Sequence, residues 1–198
     1  MAENARIVFE DDDRIFDMAG SRGATIDDLY HVEGKAEIVN GELVLMAAAG
    51  YRHGRVALRI AASLLEYETR TGRGHALPDN VGFIVDLPRR RSFSPDAAFA
   101  TQPVTDGFVD GAPVFAVEVR SVDDYGPAAE RAMAEKRVDY FAAGTRVVWD
   151  VDTLRDQVVH VYRASDPDVP AICRRGDRAD AEPALPGWSM PVGDLFPG

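Results

Sequence analysis

The sequence predicts a single α/β domain in which a mixed central β-sheet is flanked by helices. A chain of 198 residues fits one domain with a sizeable core. Apolar residues make up 46% and charged residues 28%, proportions that are typical of a globular protein rather than a disordered one. Short strand-like runs also alternate with two longer helical patterns. We therefore expect residues 25–198 to form one domain.

The N-terminal part of the chain changes character near residue 24. Residues 1–24 are polar, with an acidic run at 11–13, and we expect a mobile or loosely docked arm. Thr25 and Asp28 then have the spacing of a capping box, which opens a short helix. Asn40 and Gly41 join two apolar runs, 36–39 and 42–46. This dipeptide is the strongest short signal for a β-hairpin.

The middle and end of the chain contain two helix patterns and several strand patterns. Apolar residues recur at helical spacing over residues 51–69, and Gly72 follows as a stop signal. A second helix is predicted over 127–143, because a proline lies in its first turn and Gly144 at its end. Strands are predicted at 81–86, 96–100, 114–119, 145–152 and 157–163. The continuous apolar run 114–119 is typical of a strand buried on both faces.

Charge and cysteine content limit the classes of partner and compartment. The formal charge is −11, and basic side chains supply most non-specific affinity for nucleic acid, so any DNA binding is expected to be weak or partner-assisted. Cys173 is the single cysteine and cannot form an internal disulfide. The first residues show no basic region followed by an apolar run, and we expect a cytoplasmic location. No stretch approaches the roughly 20 apolar residues of a membrane span.

Two carboxylates have a spacing that indicates a metal site. Glu118 lies inside an apolar run, where burial of an unpaired charge is costly, and Asp96 begins a strand candidate after Ser94-Pro95. Neighbouring strands lie about 4.8 Å apart, so both carboxylates could share one hard cation such as Mg²⁺, with the carbonyl of Val119 as a further ligand. The structural alternative is that Asp96 caps a turn and Glu118 pairs with an arginine. The clustering favours the metal site.

Motifs spread over residues 25–196 resemble one protein family in their order and spacing. They are Glu37–Leu43, His53, Ser94-Pro95-Asp96, Pro113–Ser121, Lys136 with Tyr140, Ala143-Gly144, Trp149–Asp152 and Leu185–Trp188. The set is similar to the Uma-type family of restriction-endonuclease-like proteins, a prokaryotic branch of the PD-(D/E)XK nuclease superfamily. The resemblance implies a restriction-endonuclease-like core with an N-terminal β-hairpin.

The resemblance also implies roles for individual residues. Asp96 and Glu118 become the metal carboxylates, with Mg²⁺ or Mn²⁺ as the cofactor. The superfamily's basic pattern has a lysine two residues after the glutamate, where this chain has Arg120. Arginine cannot act as a general base, although it can stabilise phosphate charge. The family commonly has its lysine on the following helix, where Lys136 lies. The alternative for Lys136 is a solvated helix lysine.

Two further residues are implied to face the same site. Glu37 could extend the metal shell or orient its water, and His53 could contact phosphate or carry a proton. The structural alternative for His53 is a histidine that satisfies backbone groups at a helix end. Outside the site, Trp149 and Trp188 are expected in the core, and the basic run 89–91 is expected to form a solvated turn.

Together these features predict a metal-dependent endonuclease that hydrolyses phosphodiester bonds, with DNA as the expected substrate. One alternative is a non-catalytic binding or regulatory module on the same fold, which the acidic charge and Arg120 favour. Another is a metal-dependent hydrolase of a small phosphorylated molecule, which would tolerate the acidity better. A homodimer is expected by analogy, because cutting two antiparallel strands suits a two-fold arrangement.

Overall fold

The computed structural model describes residues 23–196 of the chain. The predicted N-terminal arm lies outside the described residues except for its last two positions. Within the described range the helices are α1 (Ile26–Tyr30), α2 (Tyr51–Thr71), α3 (Pro127–Ala142) and α4 (Val192–Leu195). The strands are β1 (Ala36–Val39), β2 (Glu42–Leu45), β3 (His75–Leu77), β4 (Phe83–Ile84), β5 (Ser92–Phe93), β6 (Ala97–Ala100), β7 (Val109–Asp110), β8 (Phe115–Val119), β9 (Val147–Asp152), β10 (Val158–Arg163), β11 (Asp166–Cys173), β12 (Arg178–Asp180) and β13 (Ser189–Pro191).

A six-stranded sheet in the order β11-β10-β9-β8-β6-β3 forms the centre of the molecule. The pair β8 and β9 is parallel, and the other neighbouring pairs in this sheet are antiparallel. Parallel neighbours need a crossover connection, and α3 supplies it between β8 and β9. The sheet is therefore mixed and flanked by helices, which confirms the predicted fold class.

Alternate side chains of β8 point to opposite faces of the sheet, as the pleat of a strand requires. Phe115, Val117 and Val119 join the core that contains α2, whereas Ala116 joins the core that contains Tyr140 of α3. The two cores therefore lie on opposite sides of the sheet. Glu118 alternates with its neighbours and points to the α3 side, where it meets Tyr140.

The C-terminal segment packs onto the larger core, and both tryptophans lie there, as expected. Trp149 of β9 is fully buried and Trp188 is 4% exposed, and their ring centroids lie 5.0 Å apart. Leu195 and Phe196 pack into the same cluster. The expected core positions of both tryptophans are confirmed.

The β1–β2 hairpin lies against the segment that precedes β5. Its turn residues Asn40 and Gly41 have φ angles of 52° and 75°, the left-handed values that a tight two-residue turn requires. The Arg91 amide donates to the Ile38 carbonyl, and the Ile38 amide donates to the Ser92 hydroxyl. The hairpin prediction is confirmed, and these contacts hold β1, which carries Glu37, against β5 and the residues before it.

The helix predictions are confirmed with small shifts at their ends. The Thr25–Asp28 capping box is formed, α2 ends before Gly72, and Pro127 opens α3. No helix in residues 23–196 is long and apolar enough to cross a membrane.

Candidate active site

Two carboxylates lie close together where β8 ends. In the antiparallel pair β6–β8, Ala97 pairs with Val117, and Asp96 comes one residue before this pair. The Asp96 amide donates to the Val117 carbonyl at 2.9 Å, and its Oδ2 accepts from the amide of Val119, the residue after Glu118, at 2.7 Å. Two like charges held this close repel each other. The pair therefore requires compensating positive charge.

Lys136 of α3 supplies part of that charge. Its Nζ lies 2.8 Å from Glu118 Oε1 and 2.9 Å from Glu37 Oε1. Burial alone would lower the pKa of Lys136, but Glu118 and Glu37 raise it above its usual value, so the ammonium stays charged. Its side chain is 12% exposed, and Lys136 is not a solvated helix lysine.

Glu118 is an acid with a perturbed proton affinity. Burial raises its pKa from the usual 4.5 to about 7, the charge of Lys136 opposes the rise, and Asp96 and Glu37 add to it. The Tyr140 hydroxyl donates to Glu118 Oε1 at 2.7 Å. Burial, with the nearby carboxylates, holds the pKa of Tyr140 well above its usual range, so the phenol remains a donor.

Glu37 is the most enclosed carboxylate of the group and is fully partnered. Its Oε1 accepts from the Ser94 amide at 2.8 Å and contacts Lys136, while its Oε2 accepts from the Arg90 guanidinium. Burial would raise the pKa of Glu37, but Lys136 and Arg90 outweigh it and lower the pKa, so the side chain is ionised. Glu37 thus joins the hairpin to α3 through Lys136.

The basic run 89–91 departs from its prediction. Arg90 is 5% exposed, and its Nε donates to Asp139 of α3 at 2.8 Å. Arg89 donates to the same carboxylate at 2.8 Å, and Arg91 is exposed beside Asp86. The expectation of a solvated turn is wrong for Arg90, because its charge bridges two buried acids, Glu37 and Asp139. No local pattern predicts this bridge, because both partners lie about fifty positions away.

His53 and Lys35 approach Asp96 from two other elements. His53 Nε2, in the first turn of α2, lies 3.2 Å from Asp96 Oδ2, but the orientation does not form a hydrogen bond. Its Nδ1 is buried and has no hydrogen-bond partner among residues 23–196. Lys35 donates to Asp96 Oδ1 and to Asp79. Burial would lower the pKa of Lys35, but Asp96 and Glu118 raise it. Lys35 was not among the predicted site residues.

Arg120 lies in a separate ionic group. Its Nε and Nη2 donate to the two oxygens of Asp150 at 2.7 and 2.8 Å, and its guanidinium also binds Glu130. Within the described residues no hydrogen bond or ion pair joins Arg120 to Asp96 or Glu118. The structure thus brings Asp96, Glu118, Lys136, Glu37 and His53 together, and directs Arg120 to different partners.

The donor set suits a hard cation. Two carboxylates and a carbonyl provide oxygen ligands, which Mg²⁺ and Mn²⁺ prefer, and a cation would relieve the repulsion between Asp96 and Glu118. No group of three or more His, Cys, Asp or Glu side chains in residues 23–196 is arranged to hold a metal. The remaining ligands of a cation would therefore be the Val119 carbonyl, water and substrate oxygens.

Comparison with known proteins assigns the family. The family model of Uma2, described as "Putative restriction endonuclease", matches residues 25–193, most of the chain. The chain belongs to the Uma2 family. This confirms the family that the motifs indicated, and restriction-endonuclease-like proteins generally use divalent metals. No curated protein matched this Uma2 chain.

A solved structure has the same fold as this Uma2 chain. It is described as a putative nuclease belonging to DUF820, from Anabaena variabilis, and superposes with a TM-score of 0.70 at 15% sequence identity. The match covers 87% of this chain and 97% of the other. At this identity the likeness shows the fold alone, and it agrees with the restriction-endonuclease-like core.

Proposed function

We propose that this Uma2 protein is a metal-dependent endonuclease that hydrolyses phosphodiester bonds of DNA, with Mg²⁺ or Mn²⁺ as cofactor. The observation that carries the proposal is the buried pair of acids Asp96 and Glu118 at the end of β8, with the Lys136 ammonium on Glu118. Packing alone gives a fold no reason to bury two acids together. Family membership supports the nuclease class, and the oxygen donor set supports the metal.

Each residue of the cluster has a proposed role. Asp96, Glu118 and the Val119 carbonyl would hold the cation. A bound cation of this type supplies Lewis acidity and lowers the pKa of its water. Lys136 stays protonated, so it acts as a fixed positive charge that steadies the attacking water and the phosphate oxygens, and not as a general base. We assign the lysine role to Lys136 rather than Arg120, whose guanidinium is held by Asp150 and Glu130.

The neighbouring residues position this machinery. His53, with a free buried nitrogen beside Asp96, is suited to carry a proton to or from the reacting water. Glu37 holds the Lys136 ammonium, and its own oxygens are already partnered, so we propose that it positions Lys136 and does not bind the metal. Tyr140 fixes Glu118 through its hydroxyl.

One observation favours a second candidate, a non-catalytic binding or regulatory module. Lys35 binds Asp96 and Lys136 binds Glu118, so each acid already has an ammonium partner without a cation. The formal charge of −11 also favours the non-catalytic module. The hydrolase of a small phosphorylated molecule has less support. Two surface depressions, along α2 and between α2 and the β13–α4 segment, contain no residue of the acid cluster.

Metal binding and nicking decide between the first two candidates. Calorimetry with Mg²⁺ and Mn²⁺ would be run on wild type, Glu118→Gln and the control Glu130→Gln, with plasmid nicking in the same buffers. Glu130 is also a glutamate in an ion pair, but its partner is Arg120. We expect wild type and the control to bind metal and nick, and Glu118→Gln to do neither. If wild type binds no metal, the nuclease hypothesis is rejected and the binding module is favoured.

The expected homodimer stays a prediction, to be tested by sedimentation.

A further inference from the structure

We infer that exposed side chains on the first two turns of α2, Tyr51, Arg52 and Arg55, bind the phosphodiester backbone of the nucleic acid that the site would cleave. This inference rests on the proposed function and names the surface that presents the substrate. We call these three residues the α2 ridge. Its occupant is a nucleic-acid strand, DNA or RNA, recognised by phosphate charge and by base stacking.

The charge of this segment departs from that of the whole chain. Residues 43–65 contain three arginines and one histidine and no Asp, Glu or Lys, in a protein with a formal charge of −11. Arg52 and Arg55 are exposed and form no hydrogen bond or ion pair within residues 23–196. The third arginine, Arg59, instead donates to the Asp194 carbonyl. Two unpaired guanidinium groups thus remain available to an external anion.

The ridge lies at the same end of α2 as the acid cluster. His53 follows Arg52 directly and brings its Nε2 within 3.2 Å of Asp96 Oδ2. Residues 52 and 55 are three apart and share the exposed side of the helix, whereas His53 points to the other side. At about 1.5 Å of rise per residue, both arginines lie within roughly 3 Å of His53 along the helix axis. A nucleic-acid strand on the ridge therefore runs about one helix diameter, roughly 10 Å, from the carboxylates.

An exposed aromatic ring in the same turn favours nucleic acid over another polyanion. The Tyr51 side chain is 80% exposed, although burial of an aromatic ring is usually favourable. Base stacking on such a ring contributes to binding of unpaired strands, and arginines beside it neutralise the phosphates. A polyanion without aromatic bases, such as polyphosphate, would use the arginines but would gain nothing comparable from the ring.

The same helix provides a matched control. Arg70 and Arg73 are exposed at the far end of α2 and just beyond it. Eighteen residues separate Arg52 from Arg70, about 27 Å along the helix axis. The double variants Arg52→Gln/Arg55→Gln and Arg70→Gln/Arg73→Gln remove the same total charge, so they separate a local contact from a change in net charge.

The test is a salt titration of binding with the full-length chain in EDTA, so that binding is measured without cleavage. Fluorescein-labelled 20-nucleotide single strands of DNA and RNA, and the DNA duplex, would be followed by anisotropy from 20 to 200 mM KCl. Loss of two phosphate contacts reduces the slope of log K against log salt by about 1.8 for duplex and 1.4 for single strands. At 0.1 M salt this corresponds to about 60-fold and 25-fold weaker binding. The control pair should keep the wild-type slope.

Each outcome bears on one statement. Equal losses in the two double variants, or no binding by wild type at 20 mM KCl, would overturn the α2 ridge. Tyr51→Ala should weaken single-strand binding about fivefold or more and leave the duplex nearly unchanged, and unchanged single-strand binding would reject the stacking contact. Tighter binding of the DNA or of the RNA single strand shows which of the two nucleic acids the ridge prefers. If wild type binds through the ridge but never nicks DNA with metal, the proposed nuclease fails while the surface stands.

Discussion

Replacing Glu118 with glutamine should make the protein more stable at pH 8 while removing a ligand of the proposed metal site. The substitution keeps the size of the side chain and removes the charge that opposes Asp96. The pKa of Glu118 rises from 4.5 to about 7 on folding, because of burial and then of the neighbouring acids. At about 1.4 kcal/mol for a pKa change of one, ionised Glu118 costs the folded state about 3 kcal/mol. Weaker hydrogen bonds from Lys136 and Tyr140 to the amide offset part of this gain.

The sign of the effect follows from proton binding. Between pH 4.5 and 7 the folded wild type holds a proton on Glu118 that the unfolded chain has released. The free energy of unfolding therefore falls as the pH rises through this window, and the loss is complete above about pH 7. Glu118→Gln lacks this proton, so its stability relative to wild type should rise by up to about 3 kcal/mol from pH 4.5 to pH 8.

Urea unfolding followed by circular dichroism, in EDTA at pH 4.5, 6 and 8, measures this difference. Glu130→Gln serves as the control, because the pKa of Glu130 is lowered, chiefly by its hydrogen bond to Arg120. A difference between Glu118→Gln and wild type that is the same at all three pH values would refute the reasoning. Adding Mg²⁺ at pH 8 should then stabilise wild type and leave Glu118→Gln unchanged, since a ligand stabilises a protein by binding its native state.

Two further predictions concern buried acids outside the pair. Asp139→Asn should lower the free energy of unfolding, measured in urea, by roughly 3 kcal/mol, because Arg90 loses an ionic partner inside the protein. The control is Asp86→Asn. The Asp86 side chain is 91% exposed beside Arg91, so this substitution should change the free energy of unfolding by no more than about 0.5 kcal/mol. Equal effects would contradict the buried bridge. Burial would raise the pKa of Asp152, but the Tyr125 hydroxyl and backbone amides lower it below the usual 3.8. The stabilisation that ionised Asp152 gives the folded protein is therefore complete above pH 3.8, and it is lost as the pH falls through the folded-state pKa. Asp152→Asn should cost roughly 1–2 kcal/mol at pH 7 and nearly nothing at pH 2, and a pH-independent cost would rule this out.

The parts of the molecule that local pattern determines could be predicted from the sequence. Asn40 and Gly41 specify their turn because few other residues adopt left-handed φ angles at both positions. Asp96 and Glu118 were detectable together because Asp96 begins one strand pattern and Glu118 interrupts another. Their closeness in space, however, depends on the pairing of β6 with β8, which no single segment encodes.

Contacts between distant segments could not be predicted. Lys35 reaches Asp96 across 61 positions, and Arg90 reaches Glu37 across 53. Both pairs form because the β1–β2 hairpin docks on β5 and the residues before it, and hydrophobic periodicity carries no information about that docking. Strand β11 was missed for another reason. It is a mostly exposed outer strand that contains Pro167 and Pro170, and prolines are tolerated on sheet edges although they resemble loop signals.

The distribution of the site over the chain also sets when it can exist during synthesis. Glu37 comes from the hairpin, Glu118 from the sheet, and Lys136 and Tyr140 from α3, which is made later. A growing chain has no assembled centre until residue 140 has left the ribosome and α3 has packed on β8. The acid cluster therefore stays incomplete until the residues up to Tyr140 have been translated.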